Sequence, residues 1–574
     1  MKKLFLILVT LISTNGFSQV GVSVFDPNPI VFDNPITNEE EMRIFLSETQ
    51  DLLTSYSWAI MVSEIASDNS LKGGDSMTDF FDLLMIDEFQ HNPSNSVTQD
   101  IWNFLFAGYN RASFAYEKGI VIPNIPPRYL AEALFLKAFY SYNLIEWFGH
   151  HPQIMEYDED NNPFLSPSSI YESPVLLDSI LYFLDEAISI TTINGVSSSG
   201  RTAIDKNTML AFKAKTYMKL EDYPGVNAVT NEIISNGPYF LTSNYQDIFD
   251  YRTPSSIFDI DCTDNEYASW QCLLCSQGNL MSGFQGIRIY EGPEFESGYG
   301  FNIPTQESYD SFDSGDIRRE IAILDISEWT VQNPTVFFIE GYNHSGYFNK
   351  KYLPRQGGMK LPEISLTYGN DLKVIRYAEI LLLAAESSLM MGNNNVAVNY
   401  LNQVRNRAGL SGISPNDINM DHIIEERRSE FMGEGKRFFD LIHFDKASEI
   451  IPNFETGKHE VFPIPQSFID LANTNDDNII MQNPGYATSL SVSNINNLTF
   501  NVYPNPTSNF LNVSLSQTLT NPKIEMYDVQ GRKVLSNLLK PSKSLDISDL
   551  KPAIYFYIIK DGKEFKYTGK IIKQ

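Results

Sequence analysis

Over the first three quarters of the chain, apolar positions recur with the period of an α-helix, in paired segments separated by short turns. Thr37-x-x-Glu40 reads as a capping box that starts a helix running towards Ala59. "VTQDIWNFLFAGYNRASFAYEKG" is a second helix, stopped by Gly119. In "RYLAEALFLKAFYSYNLIEWFG", Leu130, Leu134, Ala138 and Tyr142 repeat every four residues while Phe135 and Phe139 widen the stripe. A helix this apolar is buried over most of its surface. Gly149 and Pro152 end it, and "SPVLLDSILYFLDEAISI" is its expected packing partner.

Two later stretches share one plan. "NTMLAFKAKTYMKLEDYPGVNAVTNEIISNG" sets Ala211, Ala214 and Tyr217 on one helix, turns at 221–224, and sets Ala228 on a second helix closed by Gly237. "YAEILLLAAESSLMMGNNNVAVNYLNQVRNRAGL" repeats it with Ala384 and Ala385, a turn at Gly392-Asn393-Asn394, then Ala397, Leu401 and Val404. Small residues let helices approach closely, and a period near ~34 residues is that of tetratricopeptide-like units. About four such pairs, irregularly spaced, predict a mainly α, helical-repeat bundle that serves as a binding scaffold. Between 257 and 372 the helical period fades into Gly, Pro, Ser, Asn and aromatic residues, as in "MSGFQGIRIYEGPEFESGYGFNIPTQESYD". A long irregular insertion on a helical scaffold is where binding residues tend to be carried. After residue 500 the pattern becomes short alternating runs bounded by Pro504-Asn505-Pro506, Gln530-Gly531 and Asp561-Gly562, which predict a small all-β sandwich.

Charge changes at the same place. The chain of 574 residues carries a formal charge of -29, yet its last 75 residues hold eleven Lys+Arg against six Asp+Glu. The intervening "YATSLSVSNINNLT" is small and polar, as a linker should be. So strong an acidic balance excludes nucleic acid and anionic lipid surfaces as partners. At the N-terminus, Lys2 and Lys3, the apolar run from Leu4 to Ile12, and Asn15-Gly16-Phe17-Ser18-Gln19 have the basic, apolar and polar order of an export signal. No cysteine in "LISTNGFSQVGVS" is available to take a lipid, and no later stretch reaches the ~20 apolar residues of a membrane span. The expected domains are a signal peptide at 1–19, a helical binding domain at 20–490 and a β domain at 498–574. Cys262, Cys272 and Cys275 allow at most one disulfide, and their C-x-x-C reads as a local staple or inert thiols rather than a redox or zinc site.

Candidate chemistry is sparse. Glu425, Glu426, Arg427, Arg428, Glu430 and Arg437 crowd "IIEERRSEFMGEGKRFFDLIHF". At helical spacing Glu426 and Glu430 share a face, and Arg427 is placed to pair with Glu430 or Glu434. The expected role is ion pairing that knits the helix to its neighbours, with no histidine or metal-ligand spacing to support catalysis. His150-His151 follows a helix-ending glycine and is expected to cap or face solvent. There is no G-x-S-x-G, H-E-x-x-H or P-loop, and so many acidic residues make any glycosidase-like carboxylate pair uninformative. Neither a cofactor nor a metal is expected, nor catalysis.

Five landmarks in order, namely "RYLAEALFLKAFYSYNLIEWFGHHP", "GRTAIDKNTMLAFKAKTYM", "VIRYAEILLLAAE" with "LNQVRNRAGL", "IIEERRSEFMGEGKRFFDLIHFDKA" and "FPIPQSFIDL...IIMQNPGY", resemble the SusD/RagB family of nutrient-uptake proteins over most of 35–486. "SEIASDNSLKGG" also resembles a segment of that family. The resemblance implies a non-enzymatic binding protein on the outer face of a Bacteroidetes-type outer membrane. Such proteins act as a lid on a SusC-like TonB-dependent transporter and capture glycans or other nutrients. The tail, "VYPNPTSNFLNVSL...YDVQGRKVL...YFYIIKDGKEFKYTGKIIK", resembles the C-terminal sorting domain of the type IX secretion system, so that machinery is an implied partner. The lipobox cysteine usual in the family is missing, which leaves surface anchoring through the type IX route, or release, as alternatives.

Sugars are held by an aromatic ring against their apolar face and by polar side chains on their hydroxyls. Trp102 and Trp147 lie in apolar helices and are expected in the core. Trp270 and Trp329, with Tyr267, Tyr290 and Tyr299, lie in the insertion and are the ligand candidates, joined by Asp68, Asn69 and Lys72 from the family-like loop. The rival readings are a secreted hydrolase with a sorting tail and a helical-repeat adaptor that binds only protein.

Overall fold

The computed structural model describes residues 36–157, 163–166, 173–190, 204–250, 252–262, 278–358, 363, 366–473 and 479–486, and then 500–503, 507–515, 522–527, 532–538, 544–561 and 564–574. The export signal, the linker, Cys272 and Cys275 lie outside these residues. Two compact units divide between Tyr486 and Ala487.

The first unit is mainly helical: α1 (Glu39–Asp51), α2 (Tyr56–Ile65), α3 (Ser96–Gly119), α4 (Pro127–Phe148), α5 (Ser173–Ile190), α6 (Lys206–Lys219), α7 (Tyr223–Asn236), α8 (Tyr377–Met390), α9 (Asn394–Arg407), α10 (Met420–Phe431) and α11 (Arg437–His443). The cap of α1 falls one residue later than expected. Asn38 is extended and its side chain accepts from the Glu41 amide, while Thr37 donates from both its amide and hydroxyl to the Glu41 carboxylate. The helix towards Ala59 is broken by a 3₁₀ turn at Leu52–Ser55 before α2 begins. As its pattern predicts, α4 is buried on nearly every side and ends at Gly149, whose φ of 75° leaves the helical region.

From α3 to α9, each helix packs against the next in the series. The two similar segments form the pairs α6/α7 and α8/α9, and α7 packs directly on α8 although the whole insertion lies between them. The insertion leaves and returns along one ladder, Ser256–Ile260 antiparallel to Leu372–Arg376. Small residues at the contacts permit this closeness. At Gly108 of α3, an added Cβ would stand 2.3 Å from the Tyr140 ring of α4. Trp58, Trp102 and Trp147 are all within the core.

The acidic and basic residues of α10 are ion-paired, but not along the helix. Arg318, from the insertion, is wholly buried and bonds Asp316 at 2.6 Å, Glu426 at 2.7 Å and Glu430 at 3.0 Å. Arg376 spans Glu430 and Glu434, and Arg407 reaches Glu430 at 2.6 Å. Arg427 pairs with Asp440 of α11 at 2.7 Å, not with Glu430 or Glu434, whose carboxylates are taken by Arg318, Lys351, Arg376 and Arg407. His150 and His151 neither cap nor face solvent. Both are buried; His150 donates from Nε2 to the Met481 carbonyl, and His151 joins Ser141 to the Pro152 carbonyl.

The second unit is all antiparallel β. One sheet orders Leu545–Asp546, Phe510–Leu515 and Phe500–Tyr503; the other orders Lys533–Leu538, Pro522–Tyr527, Ala553–Asp561 and Glu564–Lys573. Tyr555, Tyr557 and Ile559 alternate into a core with Leu511, Ile524 and Ile571, while Ile554 and Phe556 face outward.

Candidate ligand-binding site

The loop before residue 74 and the insertion meet through a strand pair, Ser70–Gly73 with Phe301–Pro304, in which Leu71 opposes Ile303. Gly73 has φ +69°, and a Cβ there would lie 2.2 Å from the Gly300 carbonyl, so only glycine fits this crossing. The ladder continues through the Thr305 amide to the Asn69 carbonyl. The loop and the insertion are therefore neighbours in space, yet the polar side chains of this loop turn inward. Asp68 receives Arg437 at 2.8 Å and Arg428 at 2.8 Å. Asn69 accepts from Arg428 and donates to Glu64. Lys72 donates to the Ser76 carbonyl at 2.7 Å, with its ammonium 5.4 Å from the Phe301 and Tyr342 ring centres.

Among the aromatic candidates, Tyr290 and Trp329 are brought together, the indole Nε1 donating to the Tyr290 hydroxyl at 2.9 Å. Trp329 remains partly exposed and stands 5.4 Å from the Phe295 ring. Tyr299 is partly exposed too and packs 5.8 Å from Phe284. Tyr267 and Trp270 lie outside the described residues.

Beside this aromatic cluster is a pocket of about 160 Å³, lined by Phe249, Lys351, Arg355, Asn370, Asp371 and Lys373. Arg355 links the two: its guanidinium lies 5.2 Å from the Phe295 ring and pairs with Glu294. The Cys262 amide donates to Asp371 and the Asn279 side chain to the Asn370 carbonyl, so the pocket wall is held by residues near both ends of the 263–277 segment. Lys373 pairs with Asp259 at 2.8 Å and Lys351 with Glu434 at 2.6 Å, both fully enclosed. Burial pushes Lys351 down to about 8 against the pull of Glu434. Burial raises the Asp371 carboxyl, opposed by the Cys262 amide. Polar donors and acceptors around one aromatic wall suit a neutral, hydroxyl-bearing ligand better than a bare ion.

None of the seven residues lining the pocket, Gly369 included, was singled out from sequence. A usable signal was there: Lys373 and Arg376 interrupt the apolar strand Leu372–Arg376, and a charge in a buried strand must be paired or functional.

Comparison with known proteins agrees with this architecture. A model of the SusD family matches residues 324–451, and a model of the secretion system C-terminal sorting domain matches 501–574. The SusD-like protein P38 of Formosa agariphila is 25% identical over 505 residues, covering 78% of this chain and 92% of that one. The solved structure of a laminarin binding SusD-like protein superposes with a TM-score of 0.70 at 27% identity, over 78% of this chain and 100% of that one. Surface glycan-binding protein A from Bacteroides thetaiotaomicron, in complex with laminarihexaose, gives 0.67 at 25% identity, over 78% and 99%. The helical array with its insertion is thus similar to SusD-family proteins, and the β tail to a secretion system C-terminal sorting domain.

Proposed function

We propose that this protein binds an oligosaccharide at the cell surface, without turning it over, and passes it to a SusC-like TonB-dependent transporter. The sorting tail supplies the route to the surface in this reading, with the type IX machinery as its partner. The observation that carries the proposal is the polar pocket beside the Tyr290–Trp329 pair, on a fold shared with relatives named for laminarin binding and for a laminarihexaose complex. A β-glucan of the laminarin type is the proposed ligand. Asn370, Asp371 and Arg355 take its hydroxyls, and Trp329 and Tyr299 offer ring faces, with Tyr267 and Trp270, outside the described residues, as further candidates.

Calorimetry with laminarihexaose tests it. Saturable binding is expected, with no shorter product on chromatography, and Asn370→Ala weakens it by roughly 1 kcal/mol, about fivefold, for one lost hydrogen bond. Unchanged affinity in Asn370→Ala and Trp329→Ala together moves the site elsewhere. Recovery of a TonB-dependent barrel with the protein from solubilised outer membranes tests the transfer step.

A further inference from the structure

The sequence offers Tyr290 as a ligand contact, but its surroundings give it a different task. The side chain is only 6% exposed and packs in the core of the insertion with Ile287, Phe295, Leu324 and Ile326. Its hydroxyl accepts from the Trp329 indole Nε1 at 2.9 Å and donates to the Pro293 carbonyl at 2.8 Å. A bulge turns Tyr290 inward. Glu291 and Phe337 exchange both backbone hydrogen bonds, and the Ile339 amide donates to the Arg288 carbonyl at 3.0 Å, so Ile289 and Tyr290 together stand opposite the single Phe338. Ile289 is the extra residue: its φ of 46° is left-handed, an outlier for a β-branched side chain. An extra residue in one strand re-aims the side chain beside it, and strain of this kind persists where the surrounding structure imposes it.

Trp329 is already fixed at its backbone. The helix Ile326–Gln332 is capped by Asp325, which accepts from the Ser327 and Glu328 amides. The Trp329 carbonyl takes the Asn333 amide at 2.9 Å and the Asn333 side-chain Nδ2 at 3.1 Å. Rotation of the indole is the freedom that remains, and the Tyr290 hydroxyl and the Phe295 ring, 5.4 Å away, restrict it. A ring ordered before the ligand arrives gives up little rotamer freedom on binding. We propose that Tyr290 is a positioning residue: it touches no ligand and holds the partly exposed Trp329 indole in the orientation that receives a sugar ring. This rests on the reading of Trp329 as a ring face for the oligosaccharide.

The full chain and its Tyr290→Phe, Trp329→Ala and doubly substituted variants are titrated with laminarihexaose by calorimetry. Tyr290→Phe is expected to bind about threefold to tenfold more weakly, the cost of one hydrogen bond, and to have no further effect once Trp329 is replaced. In protein labelled at its tryptophan nitrogens, the indole N–H signal absent from Trp329→Ala identifies Trp329. That signal is expected to exchange faster with water in Tyr290→Phe. Equal weakening by Tyr290→Phe in both backgrounds would mean that Tyr290 touches the ligand or acts through the fold, and overturns the proposal. So does unchanged affinity in Tyr290→Phe while Trp329→Ala binds weakly, a result that leaves the binding site itself intact. Unchanged affinity in Trp329→Ala takes the indole out of the site, and this inference falls with that part of the binding reading.

Discussion

Glu430 is surrounded by three arginines from three segments: Arg318 and Arg376 from the insertion and its return strand, Arg407 from α9. Burial alone would push its carboxyl up, but the Arg407, Arg376 and Arg318 guanidiniums outweigh that and hold it far below the usual carboxylate range. Glu426 differs: burial raises it, and Arg318 opposes. Replacing one partner of such a network leaves the others buried and unpaired, which costs far more than the pair contributes net. Arg318→Met is expected to destabilise the first unit by about 3–5 kcal/mol in urea unfolding; a change below about 1 kcal/mol would mean that water replaces the guanidinium. That α10 is an ion-pairing helix was legible in its sequence. Which residues it pairs with was not, because spacing rules reach only along one helix, and the Arg318 contacts come from 108 and 112 residues away.

Between elements, the decisive dimension is how closely two helices approach. Tyr140 lies across Gly108, and its hydroxyl donates to the Thr49 carbonyl at 2.9 Å, so the ring is fixed at both ends. Gly108→Ala places a methyl inside the ring's contact distance. Overpacking of this kind costs about 1–3 kcal/mol, which exceeds the gain of alanine over glycine in a helix. A lowered melting temperature without loss of helical signal is expected by circular dichroism; an unchanged one would show that α3 and α4 separate freely. Helix existence and the α6/α7 and α8/α9 pairs were readable from small residues and turns. The stacking of α7 on α8 was not, since nothing in either segment records that the intervening insertion closes on itself.

For the first unit as a whole, acid is the informative perturbation. Its last described segment, 479–486, is pinned by histidines: His150 to the Met481 carbonyl, and His91 to the Tyr486 hydroxyl at 2.7 Å. Burial holds His91 down at about 3, with the neighbouring His459 adding to it, and holds His150 and His151 down at about 4. A histidine depressed in the native state binds its proton first in the unfolded chain. Its contribution is therefore complete above pH ~6.5 and is lost as pH falls towards the native value. Glu64 and Asp87, both raised to about 7 by burial, act in the opposite sense and favour the folded state as pH falls below ~7. From pH 6.5 to 4 the His91 contribution alone amounts to about 3 kcal/mol. His91→Gln is expected to lose that much less stability over the interval, by urea unfolding at the two pH values. An equal loss in both proteins would assign the acid sensitivity to His150, His151 and carboxylates held low by their cations, such as Glu379.

The chain's own pattern determined the helical class, the repeat pairs, the change to alternating strands after residue 500, and the resemblance to a nutrient-binding family. The first three follow from periodicity and local turn chemistry, which each segment carries within itself; the resemblance rests on five motifs standing in the family's order. Tertiary structure alone decided which polar side chains are taken by internal partners. Asp68, Asn69 and Lys72 stand on the loop that the insertion meets, but their side chains are spent on Arg428, Arg437, Glu64 and the Ser76 carbonyl. Arg355 and Asn370 line the proposed pocket, brought there by the return strand and its neighbours. Whether a polar side chain faces ligand or an internal partner depends on which distant charge folds against it, and no spacing along the chain encodes that.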